Sequence, residues 1–269
     1  MTRITLLLTA LLVAAGLIVA TATGSAARKP ATKSFRVAMT GEAETPAGDP
    51  VATGTATFKL RRGQARVCYT LAATNLPSRA IAAHIHRGKA GIAGNVVIPL
   101  KTPNPAGKSK GCAKASKALV RSILAHPRSY YANVHTSEFP AGAIRGQLKG
   151  TSTSSFGRII ARTLNGTTEP NATGSVVLRI RRGAGLICFR LHAANITLPA
   201  FAAHIHRGAA GTNGPVVVPL TAPGASGTSS GCVSVDQALI DQILGNSSGF
   251  YVNVHTVEHK GGAIRAQLA

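Results

Sequence analysis

The sequence predicts an all-β protein of two tandem modules, each β-sandwich or barrel-like and each carrying one short helix. Three observations predict it. The chain repeats itself at an offset of 120 residues, its apolar runs are short and punctuated by Gly and Pro, and its cysteines recur with the same spacing in each half.

The duplication is the firmest of these. Ile81 to Leu100 reads IAAHIHRGKAGIAGNVVIPL and Phe201 to Leu220 reads FAAHIHRGAAGTNGPVVVPL, the same at fourteen of twenty positions. Tyr131 to Leu148 (YANVHTSEFPAGAIRGQL) matches Tyr251 to Leu268 (YVNVHTVEHKGGAIRAQL) at twelve of eighteen. Only the segment before Thr53 and Thr173 needs a gap. A Ser/Thr run from Thr151 to Ser155 is the natural linker, which sets the two domains at 35–150 and 156–269.

Within a copy the segments read as short strands. Ala56 to Arg61 and Arg66 to Leu71 flank Arg62-Gly63 as a hairpin, and Thr173 to Leu191 repeats it around Arg182-Gly183. Val96 to Leu100 and Val216 to Leu220 are β-branched runs, and Tyr131 to Thr136 and Ile144 to Leu148 are further strands. Seven or eight strands per copy suit a sandwich or a closed barrel. The helix lies at Ser116 to Leu124 and at Val235 to Leu244, where Leu119, Val120, Ile123 and Leu124 share one face with helical spacing, as do their counterparts Leu239, Ile240, Ile243 and Leu244. Ser234 with Gln237 resembles a capping box at the start of the second helix.

The first 26 residues read as a signal peptide. Arg3 supplies the positive end, Ile4 to Ala20 is apolar or small throughout, and Ala20-Thr21-Ala22 and Gly24-Ser25-Ala26 are small-x-small cleavage sites. The competing reading is an uncleaved anchor, since the apolar run is near the lower limit for spanning a bilayer and Arg28-Lys29 follows it. Either way the protein is expected to be secreted or at the cell surface. In that setting Cys68, Cys112, Cys188 and Cys232, 44 residues apart within each pair, point to one disulfide per copy. Each such loop stabilises a module by about 3–4 kcal/mol in the chain-entropy model. The alternative, four buried thiols, fits export poorly, and no Cys-x-x-Cys spacing supports a cysteine metal site.

Charge is lopsided: 30 Lys and Arg stand against 8 Asp and Glu. From Phe35 to Gly150 there are 17 basic and 4 acidic residues, and from Thr151 to Ala269 there are 9 and 4. Such a field favours an acidic partner, either an extracellular protein or an acidic surface polymer. No aromatic stacking pattern accompanies the basic residues, which argues against nucleic acid.

Two histidine motifs recur in each copy, His-Ile-His at 84–86 and Asn-Val-His at 133–135, repeated as His204, His206 and His255. Side chains alternate along a strand, so His84 and His86 share a face while Ile85 points away. Tyr131, Asn133 and His135 likewise share a face on the later strand while Val134 points away, and the second copy repeats Asn253 and His255. If the strands are neighbours, three imidazoles converge. Three histidines on strands suit copper or zinc with a position left open for water or ligand. The competing reading is a structural network of hydrogen bonds.

Around the histidines stand residues of supporting type. Arg145 and Arg265 can steer an anion or hydrogen-bond loop carbonyls. Glu138 and Glu258 can orient a histidine or pair with the arginine. Gly88, Gly91 and Gly94, with Gly208, Gly211 and Gly214, read as a turn, because the helix that a phosphate loop needs does not follow. Catalysis by protein groups alone lacks its parts. Asp occurs only at 49, 236 and 241, at no matched positions, and no Gly-x-Ser-x-Gly elbow is present. No catalytic residue is assigned, and an enzyme of this sequence would need a metal.

The His-Ile-His-x-Gly stretch, the paired cysteines and the Asn-Val-His-Thr…Ile-Arg-x-Gln-Leu ending resemble the CHRD domain, a module named for chordin. The resemblance covers essentially all of the mature chain as two copies. The family pattern falls on His84, His86, Gly88, His135, Arg145 and Gln147, then on His204, His206, Gly208, His255, Arg265 and Gln267. The acidic residue that the family usually places before Ile-Arg is here Ala143 and Ala263, and the second copy has His259-Lys260 where the first has Phe139-Pro140. The resemblance implies an extracellular β module and fixes no activity. The expectation is an exported, non-enzymatic tandem that binds or builds at the cell surface, with a histidine metal site in each module. A His-x-His strand, an internal disulfide, a later histidine and a near-terminal arginine are also similar to copper/zinc superoxide dismutase, although a fourth shared histidine and a zinc-binding aspartate are missing. A copper redox protein and a basic protein that binds polyanions are the alternatives.

Overall fold

The computed structural model describes residues 32–149 and 156–269. The signal peptide expected over residues 1–26 and the linker over 151–155 lie outside the described residues.

The first module has eight strands: β1 (Thr32–Thr40), β2 (Thr53–Arg61), β3 (Arg66–Thr74), β4 (Ala80–Arg87), β5 (Val96–Leu100), β6 (Lys108–Lys114), β7 (Tyr130–Thr136) and β8 (Ile144–Gln147). Helix α1 (Lys117–Ala125) joins β6 to β7. The second module repeats the plan with β9 (Arg158–Gly166), β10 (Thr173–Arg181), β11 (Leu186–Ala194), β12 (Ala202–Arg207), β13 (Val216–Leu220), β14 (Thr228–Ser234), β15 (Phe250–His255), β16 (Ile264–Gln267) and helix α2 (Gln237–Gly245). Each sheet is antiparallel in the order β5-β4-β7-β8-β1-β2-β3-β6, or its counterpart, and the two edge strands β5 and β6 touch. The result is a nearly closed barrel in each module, in line with the expected all-β class.

Alternation builds the barrel. Along β2, Ala56, Phe58 and Leu60 are buried, and along β3, Val67, Tyr69, Leu71 and Ala73 are. Ile85, Ile98, Val134 and Ile144 fill the core from the other side, with Val120 and Ile123 of α1 packed into it. Each fully buried side chain of this kind contributes about 1.5–3 kcal/mol. Strand β6 is different, since most of its residues face solvent and it buries little. The Cys68–Cys112 disulfide joins it to β3 at directly opposed positions, and Cys188–Cys232 does the same for β14 and β11. Covalent linkage thus holds the edge strand that packing holds weakly.

Helix α1 is capped by Ser116, whose side chain accepts from the Leu119 amide. In α2 the N-cap is Asp236 rather than Ser234, which ends β14. The capping box expected from Ser234 and Gln237 starts two residues too early.

The gap in the repeat has a structural reason. Thr40 lies opposite Arg145 and Asn165 lies opposite Arg265, so these two residues hold the same place in their modules. Counted from there to Thr53 and Thr173, the first module's connection is five residues longer. This longer loop docks on the second module. Glu42 pairs with Arg179 at 3.1 Å and with Arg181, while Asp49 pairs with Arg190 at 2.5 Å. Asp49 is fully buried, and its other oxygen accepts from the amides of Val51 and Ala52.

Candidate metal centre

Strand β4 pairs with β7 so that His84 lies opposite Asn133, His86 opposite Tyr131 and Ala82 opposite His135. Ile85 and Val134 point into the core, which leaves the three imidazoles together on the outer face of the sheet. Loops cover them there: His86 and His135 are buried and His84 is half-buried. One ring nitrogen from each of the three lies within 4.8 Å of the other two, and His204, His206 and His255 form the same group in the second module.

Backbone carbonyls fix which nitrogen each ring presents. His86 donates Nδ1–H to Gly94 O at 2.8 Å, and His135 donates Nδ1–H to Pro140 O at 2.9 Å. The His86 ring is thereby held with a bare Nε2, while His135 Nε2 lies within hydrogen-bond distance of neighbouring groups. The second module repeats this with His206 to Gly214 O and His255 to Lys260 O, each at 2.9 Å. The Nδ1 of His84 stands 3.1 Å from His135 Nε2, and that of His204 stands 3.3 Å from His255 Nε2. Two nitrogens bound to one tetrahedral zinc at about 2.0–2.1 Å sit ~3.3 Å apart, so the spacing already suits a shared cation. The Nε2 atoms of His86 and His206 are buried with no hydrogen-bond partner among the described residues. An orphaned buried nitrogen costs about 1–3 kcal/mol, and metal coordination would remove that cost.

Burial favours the neutral form of His84, His135, His204 and His255, the form that ligates. Burial, with the neighbouring His135 and His86, pushes His84 down to about 4. Burial lowers His135 as well, against the opposing Pro140 hydrogen bond; burial with His255 and His206 lowers His204, and burial lowers His255 against the Lys260 hydrogen bond.

The glycine turn shapes this site. A Cβ on Gly94 would lie 1.8 Å from Arg87 O, and on Gly214 1.6 Å from Arg207 O, so only glycine brings these carbonyls under the histidines. Arg145 holds the same turn by donating to the carbonyls of Ile92 and Lys89 at 3.1 and 2.7 Å. Its guanidinium lies over the Tyr131 ring at 3.3 Å, and that ring stacks on His86 with centroids 4.8 Å apart. Arg265, Tyr251 and His206 repeat the stack. Of the two roles open to the arginine, the structure places it on loop carbonyls.

The other candidates divide. Asn133 Oδ1 lies 3.1 Å from His135 Nε2, whereas Asn253 donates to Gly261 O. Glu138 accepts from Ser78 and Ser137, and Glu258 is hydrogen-bonded to Thr197 and Thr256, so neither carboxylate reaches a histidine ring through these bonds. The acid that does lie near the first cluster is Glu44, from the loop after β1. It is buried, bonded to Asn133, and raised to about 7 because burial outweighs the Arg145 charge. In the shorter loop after β9, Glu169 pairs with His259 at 2.5 Å. Sequence reasoning missed Glu44 because it sits in the segment that breaks the repeat. Tyr131, which the strand alternation places on the face of Asn133 and His135, stacks on His86 there, and Tyr251 does the same on His206.

Residues 35–148 and 161–268 each match the family model of the CHRD domain. No curated protein matches the chain.

Proposed function

We propose, for a chain that belongs to the CHRD domain family as two tandem copies, that each copy is a metal-binding module of an exported, non-enzymatic protein. One copper or zinc ion would be held by His84, His86 and His135, and a second by His204, His206 and His255. The observation that carries this reading is the orphaned Nε2 of His86 and of His206, each aimed by a carbonyl bond on the opposite nitrogen. A purely structural network would be expected to satisfy that atom. The ion stabilises the fold by mass action, about 2.7 kcal/mol at a hundredfold excess over Kd. The two disulfides support an extracytoplasmic setting.

A copper redox centre is the second reading. His84 and His204 are only half-buried, which favours a fourth coordination position open to solvent. Superoxide turnover by the copper-loaded protein, abolished by a chelator, would establish it.

The binding reading is tested by titrating the exported protein with copper and with zinc beside the His84→Ala, His204→Ala double variant. Saturable binding lost in the variant supports the site. Binding no stronger than the variant's overturns both readings and leaves the histidines as structural.

A further inference from the structure

The contact between the modules shows what one face of this barrel binds. On the second module, the outer faces of β10 and β11 present Arg179, Arg181 and Arg190, and the acidic loop of the first module fills that face with Glu42 and Asp49. The repeat places Lys59, Arg61 and Thr70 of β2 and β3 at the same three positions of the first module. There Lys101, Lys108 and Lys110 stand beside them, where the second module has Thr221, Thr228 and Ser230. Thr57 pairs with Thr70 and Thr70 with Lys110, so threonines and lysines form one row across the three strands. A groove of about 570 Å³ runs along this row between Thr57, Thr70, Lys101, Lys108 and Lys110. Lys59, Lys101, Lys108 and Lys110 are exposed, and among the described residues none of them forms a salt bridge.

We propose that this face of the first module is a docking surface for an acidic segment of another protein, bound as Glu42 and Asp49 are bound by the second module. Charge complementarity argues for the occupant. The face is cationic and edged by hydroxyls, and its filled counterpart receives carboxylates from a turn of polypeptide. A second copy of this chain does not offer the same acidic loop, because its own Glu42 and Asp49 are engaged within the chain. The surface also explains why the charge excess gathers in the first module. It stands apart from the histidine clusters and does not depend on their holding metal.

The test is fluorescence anisotropy of a labelled decaglutamate peptide with the exported protein at low salt. It is compared with the triple variant Lys101→Thr, Lys108→Thr, Lys110→Ser, which installs the second module's own residues on the same strands. A charge-matched control replaces Lys117, Arg121 and Arg128 by Ser. Removing three exposed cations from the groove is expected to weaken the peptide about tenfold, with the control near the parent. Equal loss in groove and control variants would overturn the proposal as unspecific attraction. Equal affinity for a sulfated polysaccharide of the same charge would overturn the assignment to an acidic polypeptide. Concentration-dependent dimers that disappear in the groove variant would overturn it in favour of a second copy.

Discussion

His86 gives its Nδ1 proton to Gly94 O across 2.8 Å, and in doing so turns an unpartnered Nε2 toward His84 and His135. The strand supplies the ring and the glycine turn supplies its orientation. The site is therefore a property of β4 and the turn after it together.

Replacing Gly94 by Ala brings a methyl group to 1.8 Å of Arg87 O, so the turn must move and His86 loses its carbonyl. Loss of an orienting partner of a metal-bound histidine typically costs 10–100-fold in affinity. Isothermal titration of Gly94→Ala is expected to show one weakened site and one unchanged site, the latter in the second module.

Acid should destabilise the metal-free protein before it reaches the usual carboxylate range. His84 titrates near 4 when folded and near 6.5 when unfolded, and His135, His204 and His255 are shifted the same way. Unfolded chains then bind more protons in this window, so the histidine contribution to stability falls as pH drops from about 6.5 toward 4. Urea midpoints between pH 7.5 and 4.5 measure it. Replacing His84 and His204 by Asn should flatten the decline.

Glu44 pulls the other way. Its carboxyl is raised to about 7 from an ordinary 4.5, so its cost to stability grows as pH rises from 4.5 to 7. Glu44→Gln keeps the shape and removes the charge. The variant is expected to match or exceed the parent's urea midpoint at pH 8 and to lose any advantage at pH 4.5.

Asp49→Ala removes a buried carboxylate that serves two backbone amides and Arg190 of the other module. Breaking a buried pair on one side costs about 3–5 kcal/mol. Calorimetry should show the first module melting earlier and the two transitions separating. A single unshifted transition would mean that the ion pairs do not couple the modules.

Much of this was legible in the residues. His84, Ile85 and His86 alternate, so the shared face followed from the strand period alone, and the equal cysteine spacing foretold the two disulfides. Other features carried no periodic signal. Strand β6 runs Lys108 to Lys114 with little burial on either face, so its sequence marks no strand. Glu44 and Asp49 lie in the loop where the copies differ in length, and comparison of the copies was blind there. Nothing in the sequence around Arg179 marks that it is fully buried against Glu42.

The central claim, one metal ion per module on three histidines, is tested most directly by native mass spectrometry of the protein after loading with zinc or copper and desalting. Two ions per chain are expected, falling to one in His84→Ala and to none in His84→Ala with His204→Ala. A parent chain that emerges without bound metal, or an unchanged count in the double variant, would contradict it.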